Sequence, residues 1–373
     1  MIIFFIFICN SCISIFNLKK IFHHIPFLFI VMLVSDAHVA ALPVFTISSG
    51  HKMSTNMSSL LKVFTSGAVG DFLGSPYKKT SSESSKWLVA FLNGKFNNDH
   101  TMDSCSLSDD TQMTITALSS IAECSGFDLH HMRDSFVRDA HTYVGLGKTT
   151  RQALEMLRIG AVRYQSDSVG NGTVMRAAPM LLVKDWRTSL VSYCALTHTS
   201  VSSITGAAIH LLALETLLKG WRGFCPTPGK IRKHLLGAVL RELQRLSFEV
   251  DKEALGCLEA MLEDAEAPFC PPSASVGPDG VFTTWTGLAP HAVATSLAAL
   301  HFFLRHPASW KRGLLDMIRY GGDTDTGSAA LLQLYGAHGM SYPSDSFVQR
   351  LIPDAAATFS DLLGVSNAKM TAG

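Results

Sequence analysis

Charge is what this 373-residue sequence has least of. Asp, Glu, Lys and Arg make up 16% of it, against about 25% in an ordinary soluble chain. The signs also cancel: 31 Lys and Arg stand against 30 Asp and Glu, a formal charge of +1. A chain so balanced lacks the basic face on which nucleic-acid binding rests. Its 47% hydrophobic content excludes a disordered polar polymer. Strand signals are equally scarce, for no run of alternating β-branched residues is bounded by hairpin turns. No fixed-period repeat occurs. The eight cysteines show no zinc spacing, and a body this long buries a core without disulfides, so their usage leans intracellular. Cys9 and Cys12 spell a CxxC, but in a greasy run with no βαβ context.

Long clean hydrophobic runs are missing too, although the N-terminus comes near. Residues 1–34 hold 25 hydrophobic residues, seven of them Phe, and only Lys19 and Lys20 are charged. Asn10, Ser11, Ser14 and Asn17 break the first half, and His23, His24 and Pro26 break the second. No run therefore reaches the ~18 residues of a membrane span. Three readings fit residues 1–41. One is a signal peptide, its apolar stretch Ile21–Val34 followed by small residues at Ser35, Ala37, Ala40 and Ala41. One is a membrane anchor. One is an upstream stretch wrongly joined to the gene, with the true start at Met53 or Met57. On all three, residues 1–57 stand outside the fold and 58–373 form one domain. The compartment follows the choice: secreted or organellar with a signal, cytoplasmic with a misjoined start, and membrane contact only if the leader is retained.

What the body does have is helical period. Val201–Lys219 carries apolar residues at helical spacing, as do Ile231–Leu246, Glu253–Asp264, His291–Leu304, Leu314–Tyr320 and Ser328–Tyr335. Pro290 sits where a first turn tolerates proline. The loop Ala267–Gly280, with four prolines, reads as a surface excursion. The fold class is all-α, and helices apolar nearly all round explain the light charge, since such helices belong inside.

The few carboxylates are concentrated. Ser108-Asp109-Asp110-Thr111 and Gly321-Gly322-Asp323-Thr324-Asp325-Thr326 each precede a helical pattern. Either alone reads as a helix cap. A cap, however, needs one side-chain oxygen, and each cluster offers two carboxylates, which repel unless a cation or protons intervene. Oxygen ligands without Cys or His suit Mg²⁺, Mn²⁺ or Ca²⁺. A third segment, Gly170-Asn171-Gly172-Thr173-Val174-Met175-Arg176-Ala177-Ala178-Pro179, reads as a plain turn or as a nest for a diphosphate, with a helix beginning near Val174. Gly145-Leu146-Gly147-Lys148-Thr149-Thr150 lacks the earlier glycine of a triphosphate loop, having Thr142 there, and Asp139–Val144 before it reads as helix rather than strand. Thr197-His198 heads the helix at Val201, whereas His210, His234, His291 and His301 receive no role.

In this order, with Gly67-Ala68-Val69-Gly70-Asp71-Phe72-Leu73-Gly74-Ser75-Pro76 in front, the segments resemble the ADP-ribosylglycohydrolase family, in particular its dinitrogenase-reductase-activating branch. The resemblance covers about Ser58 to Tyr342. It implies a single compact orthogonal helical bundle with a binuclear metal cleft. It implies two Mg²⁺ ions (Mn²⁺ possible) held by Ser108, Asp109, Asp110, Asp323, Asp325 and Thr326. Asp109 or Asp110 would activate water. Gly170, Asn171, Gly172, His198, Gly321 and Thr324 would bind the substrate, an ADP-ribosylated protein or small conjugate. The implied activity is hydrolysis of the glycosidic bond linking ADP-ribose to an acceptor such as arginine, with no direct nucleic-acid contact. One departure is Lys78, where many members carry Glu. It leaves a second reading, a non-catalytic ADP-ribose-binding or structural paralogue. Glu83 is the nearby acid that would replace the missing one. A phosphohydrolase using the same carboxylates is a third class, which Gly170–Gly172 and His198 suit less well.

Overall fold

The helical periods become twelve α-helices in a computed structural model, which describes residues 57–78, 89, 92, 105–220, 227–275, 286–339 and 351–365. The N-terminal segment up to residue 56, Glu83, Cys225 and the last part of the proline-rich loop lie outside the described residues. In chain order the helices are α1 (Met57–Gly74), α2 (Asp109–Cys124), α3 (Leu129–Asp139), α4 (Lys148–Arg158), α5 (Trp186–Cys194) and α6 (Val201–Leu218). Then follow α7 (Pro228–Leu243), α8 (Lys252–Glu263), α9 (Ala292–Arg305), α10 (Trp310–Tyr320), α11 (Thr324–Ala337) and α12 (Pro353–Leu362). No strand occurs among the described residues. Two isolated bridges, Gly170 with His291 and Leu288 with Gly322, stitch loops together. The fold is an all-α orthogonal bundle.

Three helices make its centre. Helix α6 packs against α9 and α11, and nearly every residue of α9 and α11 is buried. By length and composition α6 would span a membrane, but 72% of it is buried inside the fold, which makes it the core helix. The sparse charge of the sequence has its cause here. The most extensive helix pairing is α1 with α11. It requires close backbone approach: a Cβ on Gly74 would lie 2.4 Å from the Thr324 carbonyl oxygen. That contact brings the end of α1 onto the start of α11, where the second acidic cluster sits. Side-chain caps fix some of the other helix starts locally. Ser200 accepts from the Ser203 N–H and Asp251 accepts from Glu253 and Ala254.

Three sequence expectations are revised. No α-helix begins at Val174. The chain makes 3₁₀ turns at Asn171–Thr173 and Ala178–Leu182, with Pro179 inside the second and unable to donate to a helix ladder. The stretch 140–142 is also a 3₁₀ turn, ending a helix that stops at Asp139. The proline-rich loop is not purely a surface excursion, because its Ala274 reaches the cleft described next.

Candidate active site

A cleft of about 500 Å³ gathers most of the singled-out segments. Asp109, Asp110, Asp323 and Thr326 line it on one side, with Lys78. Gly170, Asn171, Gly172 and His198 line it on the other. The loop from Gly145 to Thr150 closes a further side. Ser108 and Asp325 lie buried beside these carboxylates. Gly321 and Thr324, expected against the substrate, do not line the cleft. The Thr324 hydroxyl donates to the Gly74 carbonyl at 3.0 Å, clipping α11 to α1. The loop at Gly321 and Gly322 closes α10 with positive φ at both glycines, and a Cβ at Gly322 would lie 2.2 Å from Leu288 oxygen.

Five buried carboxylates converge, one more than the sequence clusters supply. The fifth is Asp71, from the apolar helix α1. Its Oδ1 accepts from Ser108 Oγ at 2.7 Å. Its Oδ2 accepts from Thr111 Oγ1 at 2.6 Å and from the N–H groups of Ser108 and Thr111 at 2.9 and 3.2 Å. Asp71 thus holds the first turn of α2 from another helix. Ser108 is the local cap, its Oγ accepting from the Asp110 N–H at 3.2 Å. With capping done by Ser108 and Asp71, the carboxylates of Asp109 and Asp110 are released for other work. Asp323 is also no ordinary cap. It occupies the N-cap position of α11, but its side chain accepts nothing from that helix. Its Oδ2 accepts instead from Asn171 Nδ2 at 2.6 Å, an amide that also donates to Thr295 at 3.0 Å. The excess of carboxylates over caps therefore has a structural answer.

Electrostatically these acids are far from their ordinary state. Burial pushes the Asp109 carboxyl up to about 7, with Lys78 opposing and Asp71 and Asp323 adding to the rise. Burial pushes Asp325 up to about 7 as well, with Asp323 adding and Lys78 opposing. Asp110 is raised well above the carboxylate range by burial and by Asp71, Asp325 and Asp109. For Lys78 burial favours the neutral amine, but Asp323, Asp325 and Asp110 outweigh it and hold the ammonium charged. Its Nζ lies 2.8 Å from Asp325 Oδ2 and 3.1 Å from Asp323 Oδ1.

Oxygen atoms of Asp71, Asp110 and Asp325 come within 4.8 Å of one another. Asp110 Oδ2 and Asp325 Oδ1 are buried without a hydrogen-bond partner, a costly condition for a carboxylate oxygen. Thr326 Oγ1 donates to Asp110 Oδ1 at 3.3 Å. A donor set of hard oxygens with two orphaned carboxylate atoms fits a divalent cation of the Mg²⁺, Mn²⁺ or Ca²⁺ kind.

The opposite wall is organised by a buried cation. Arg176 is fully buried, stacked 4.5 Å from the Tyr193 ring centroid and 5.1 Å from that of Phe136. Its Nη2 donates to Thr197 Oγ1 at 2.6 Å, and its Nε and Nη1 have no partner. Thr197 Oγ1 lies 2.9 Å from His198 Nδ1. A guanidinium only donates, so Thr197 accepts from it, and the Thr197 hydroxyl can then either donate to Nδ1 or accept from it. In the arrangement where it donates, Nε2 carries the N–H of the imidazole. Burial, helped by the Arg176 charge, lowers His198 to about 3, so the ring is neutral at ordinary pH. Gly170 and Gly172 sit directly on this ring, for a Cβ on either would fall 2.9 Å from it. His291, given no role from the sequence, also lines the cleft. Its Nδ1 accepts from the Ala294 N–H as the cap of α9, and its buried Nε2 has no partner.

Comparison with known proteins agrees with this geometry. The sequence model of the ADP-ribosylglycohydrolase family matches residues 54–351. A solved structure described as an ADP-ribosylglycohydrolase-related protein complex matches with a TM-score of 0.59 and 20% identity, over 84% of this chain and 100% of that one. At that identity it speaks for the fold. Among curated proteins none matches. With the family's sequence model spanning most of its length, the chain belongs to the ADP-ribosylglycohydrolase family.

Proposed function

We propose that residues 58–373 carry out Mg²⁺-dependent hydrolysis of the glycosidic bond between ADP-ribose and an acceptor, reversing ADP-ribosylation of a protein side chain such as arginine or of a related conjugate. The carrying observation is the pair of orphaned, buried carboxylate oxygens on Asp110 and Asp325, facing a glycine loop backed by a neutral histidine. Ser108, Asp109, Asp110, Asp325 and Thr326 would hold the metal, while Asp323, expected among the ligands, has both oxygens engaged by Lys78 and Asn171. Bound there, a divalent ion supplies Lewis-acid polarisation of the ribose oxygens.

The residues of the chain do the rest. The Asp109 backbone is fixed by its N–H bond to the Val144 carbonyl at 2.7 Å, and its side chain lines the cleft. From the cleft wall it would accept a proton from the attacking water. Water oxygen bonds to the anomeric carbon and the bond to the acceptor breaks. The proton taken by Asp109 leaves with the acceptor, which is freed alongside ADP-ribose. Asp110 orients the water. Asn171 and Gly172 offer backbone N–H groups to the diphosphate, beside Gly170, whose own N–H is held by Ser168 Oγ at 3.3 Å, and a His198 Nε2–H would add a neutral donor. No nucleic-acid contact is part of this reading.

A specific observation favours a second reading. Lys78 pairs with two of the carboxylates, as it would in a paralogue that binds ADP-ribose without cleaving it. The deciding experiment measures ADP-ribose release from arginine-, serine- and nucleotide-linked substrates, with and without EDTA. Release that requires Mg²⁺ is expected. Binding of ADP-ribose with no release from any linkage would replace hydrolysis by the second reading.

A further inference from the structure

We infer that the Lys78 ammonium takes the place of one cation, so that this cleft holds a single divalent ion. The inference rests on the metal-dependent reading above and deepens it, since the family resemblance implies two ions.

Lys78 is aimed into the cleft by a braced turn. It follows the 3₁₀ turn Ser75–Tyr77 at the end of α1. Ser75 Oγ donates to the Phe72 carbonyl at 3.0 Å and accepts from the Ser106 N–H at 3.1 Å. Tyr77 is buried. From this base the ammonium reaches Asp325 Oδ2 at 2.8 Å and Asp323 Oδ1 at 3.1 Å. The remaining Asp323 oxygen is taken by Asn171. Both oxygens of Asp323 and one of Asp325 are therefore engaged without any metal.

What is left suits one ion. Asp110 Oδ2 and Asp325 Oδ1 lack partners, and among the described residues they fall in one group of oxygens with Asp71, whose own oxygens are held by Ser108 and Thr111. A second divalent ion on Asp323 and Asp325 would need the atoms that Lys78 holds. It would also sit within a few ångströms of a fixed positive charge, where like charges repel strongly in a poorly solvated site. Lysine and second ion thus compete for the same oxygens, and the lysine is covalently present.

The test counts ions. Mn²⁺ is titrated into the full chain, and free Mn²⁺ is followed by electron paramagnetic resonance, with calorimetry as a second measure. One ion per wild-type chain is expected, and two per chain for Lys78→Met and for Lys78→Glu. Two ions on the wild type would overturn the inference and leave metal-dependent hydrolysis standing. One ion on wild type and on folded Lys78→Glu alike would overturn the role of Lys78. No ion on either protein would overturn both readings. The wild-type count decides even where a variant does not fold, and it needs no turnover. One ion with no ADP-ribose release would sustain the inference while removing hydrolysis.

Discussion

The two walls of the cleft solve opposite electrostatic problems with the same device, a buried group left incompletely partnered. The acidic wall gathers Asp71, Asp109, Asp110, Asp323 and Asp325, none more than 5% exposed, and meets them with one ammonium and a handful of hydroxyl and amide donors. It is short of positive charge. The glycine wall carries no carboxylate of its own. Behind it lies Arg176, wholly buried, paired with two aromatic faces and a threonine instead of an acid. That wall is short of negative charge. A ligand that completes both must bring a cation to one side and an anion to the other, which a metal-bound nucleotide diphosphate does. The pairing also explains why neither wall collapses onto the other: Asn171 spans them as a neutral amide, donating to Asp323.

The contrast breaks most visibly on the acidic side. Asp325→Ala removes the carboxylate shared by Lys78 and the orphaned oxygen set. Turnover is expected to fall by at least ~10², the scale on which a group placed to stabilise charge in a reaction acts, and Mn²⁺ affinity is expected to fall with it. Steady-state rates and a metal titration measure both, and a variant unchanged in both would show that the carboxylates are mere scaffolding. The glycine side should respond in the other ligand. Arg176→Met keeps the bulk against Tyr193 and Phe136 but removes the charge. ADP-ribose affinity by calorimetry is expected to drop about tenfold, or ~1.4 kcal/mol, with Mn²⁺ affinity unchanged. Equal losses of both ligands would mean that the walls are not electrically distinct.

Much of this was legible in the sequence, and what was not has identifiable causes. The long helices were readable because their apolar period is strong and their interiors carry few breakers. The two acidic clusters were readable because four carboxylates stand out in so lightly charged a chain. Asp71 stands within its motif with no sign of its partners. Its signal is a lone carboxylate in a helix whose only other charge is Lys62, but nothing local says which N–H groups it caps 37 and 40 residues away. His291 was passed over because a histidine at a helix start looks structural, and it is a cap. Only its other nitrogen faces an unmet need. The pairing of Lys78 with acids about 247 residues distant has no spacing signature at all. The 3₁₀ turns through Asn171–Leu182 read as the start of a helix because Gly-Asn-Gly resembles a helix entry, whereas Pro179 denies the ladder its donor.

A smaller effect tests whether the acidic wall is strained in the absence of metal. In the folded chain Asp109 sits near 7, against ~4 when unfolded. Between those values the folded state binds a proton that the unfolded state does not, so this group's contribution falls as pH rises from about 4 to 7 and stays unfavourable above. The buried histidines, including His198 and His210, are lowered instead, and they act in the opposite sense below ~6.5. The difference between two proteins isolates the carboxyl. In EDTA, Asp109→Asn is expected to raise Tm more at pH 8 than at pH 5.5, by about 2 °C or more, since 1 kcal/mol corresponds to roughly 2–4 °C in chains of 150–250 residues. An equal shift at both pH values would mean that Asp109 is not held protonated by its burial.

The smallest expected effect is next to no change, and it belongs to the glycine wall. If His198 were an ordinary imidazole near 6.5, it would become a cation as pH falls from 8 to 6, and its attraction for a diphosphate would grow. In this fold it is held near 3 by burial and by the Arg176 charge. A bound anion favours the protonated ring and raises that value, by about 1–3 units for a neighbouring opposite charge, which leaves it at most half protonated at pH 6, worth no more than about twofold in affinity, and neutral by pH 8. His198→Asn keeps a neutral donor that cannot titrate. The ratio of ADP-ribose affinities, wild type over variant, is therefore expected to stay within about twofold from pH 6 to pH 8 in calorimetry, whatever Asp109 does across the cleft. A ratio that climbs severalfold toward pH 6 would put a charged histidine on this wall. Arg176 would then not be the charge that makes it attractive to an anion.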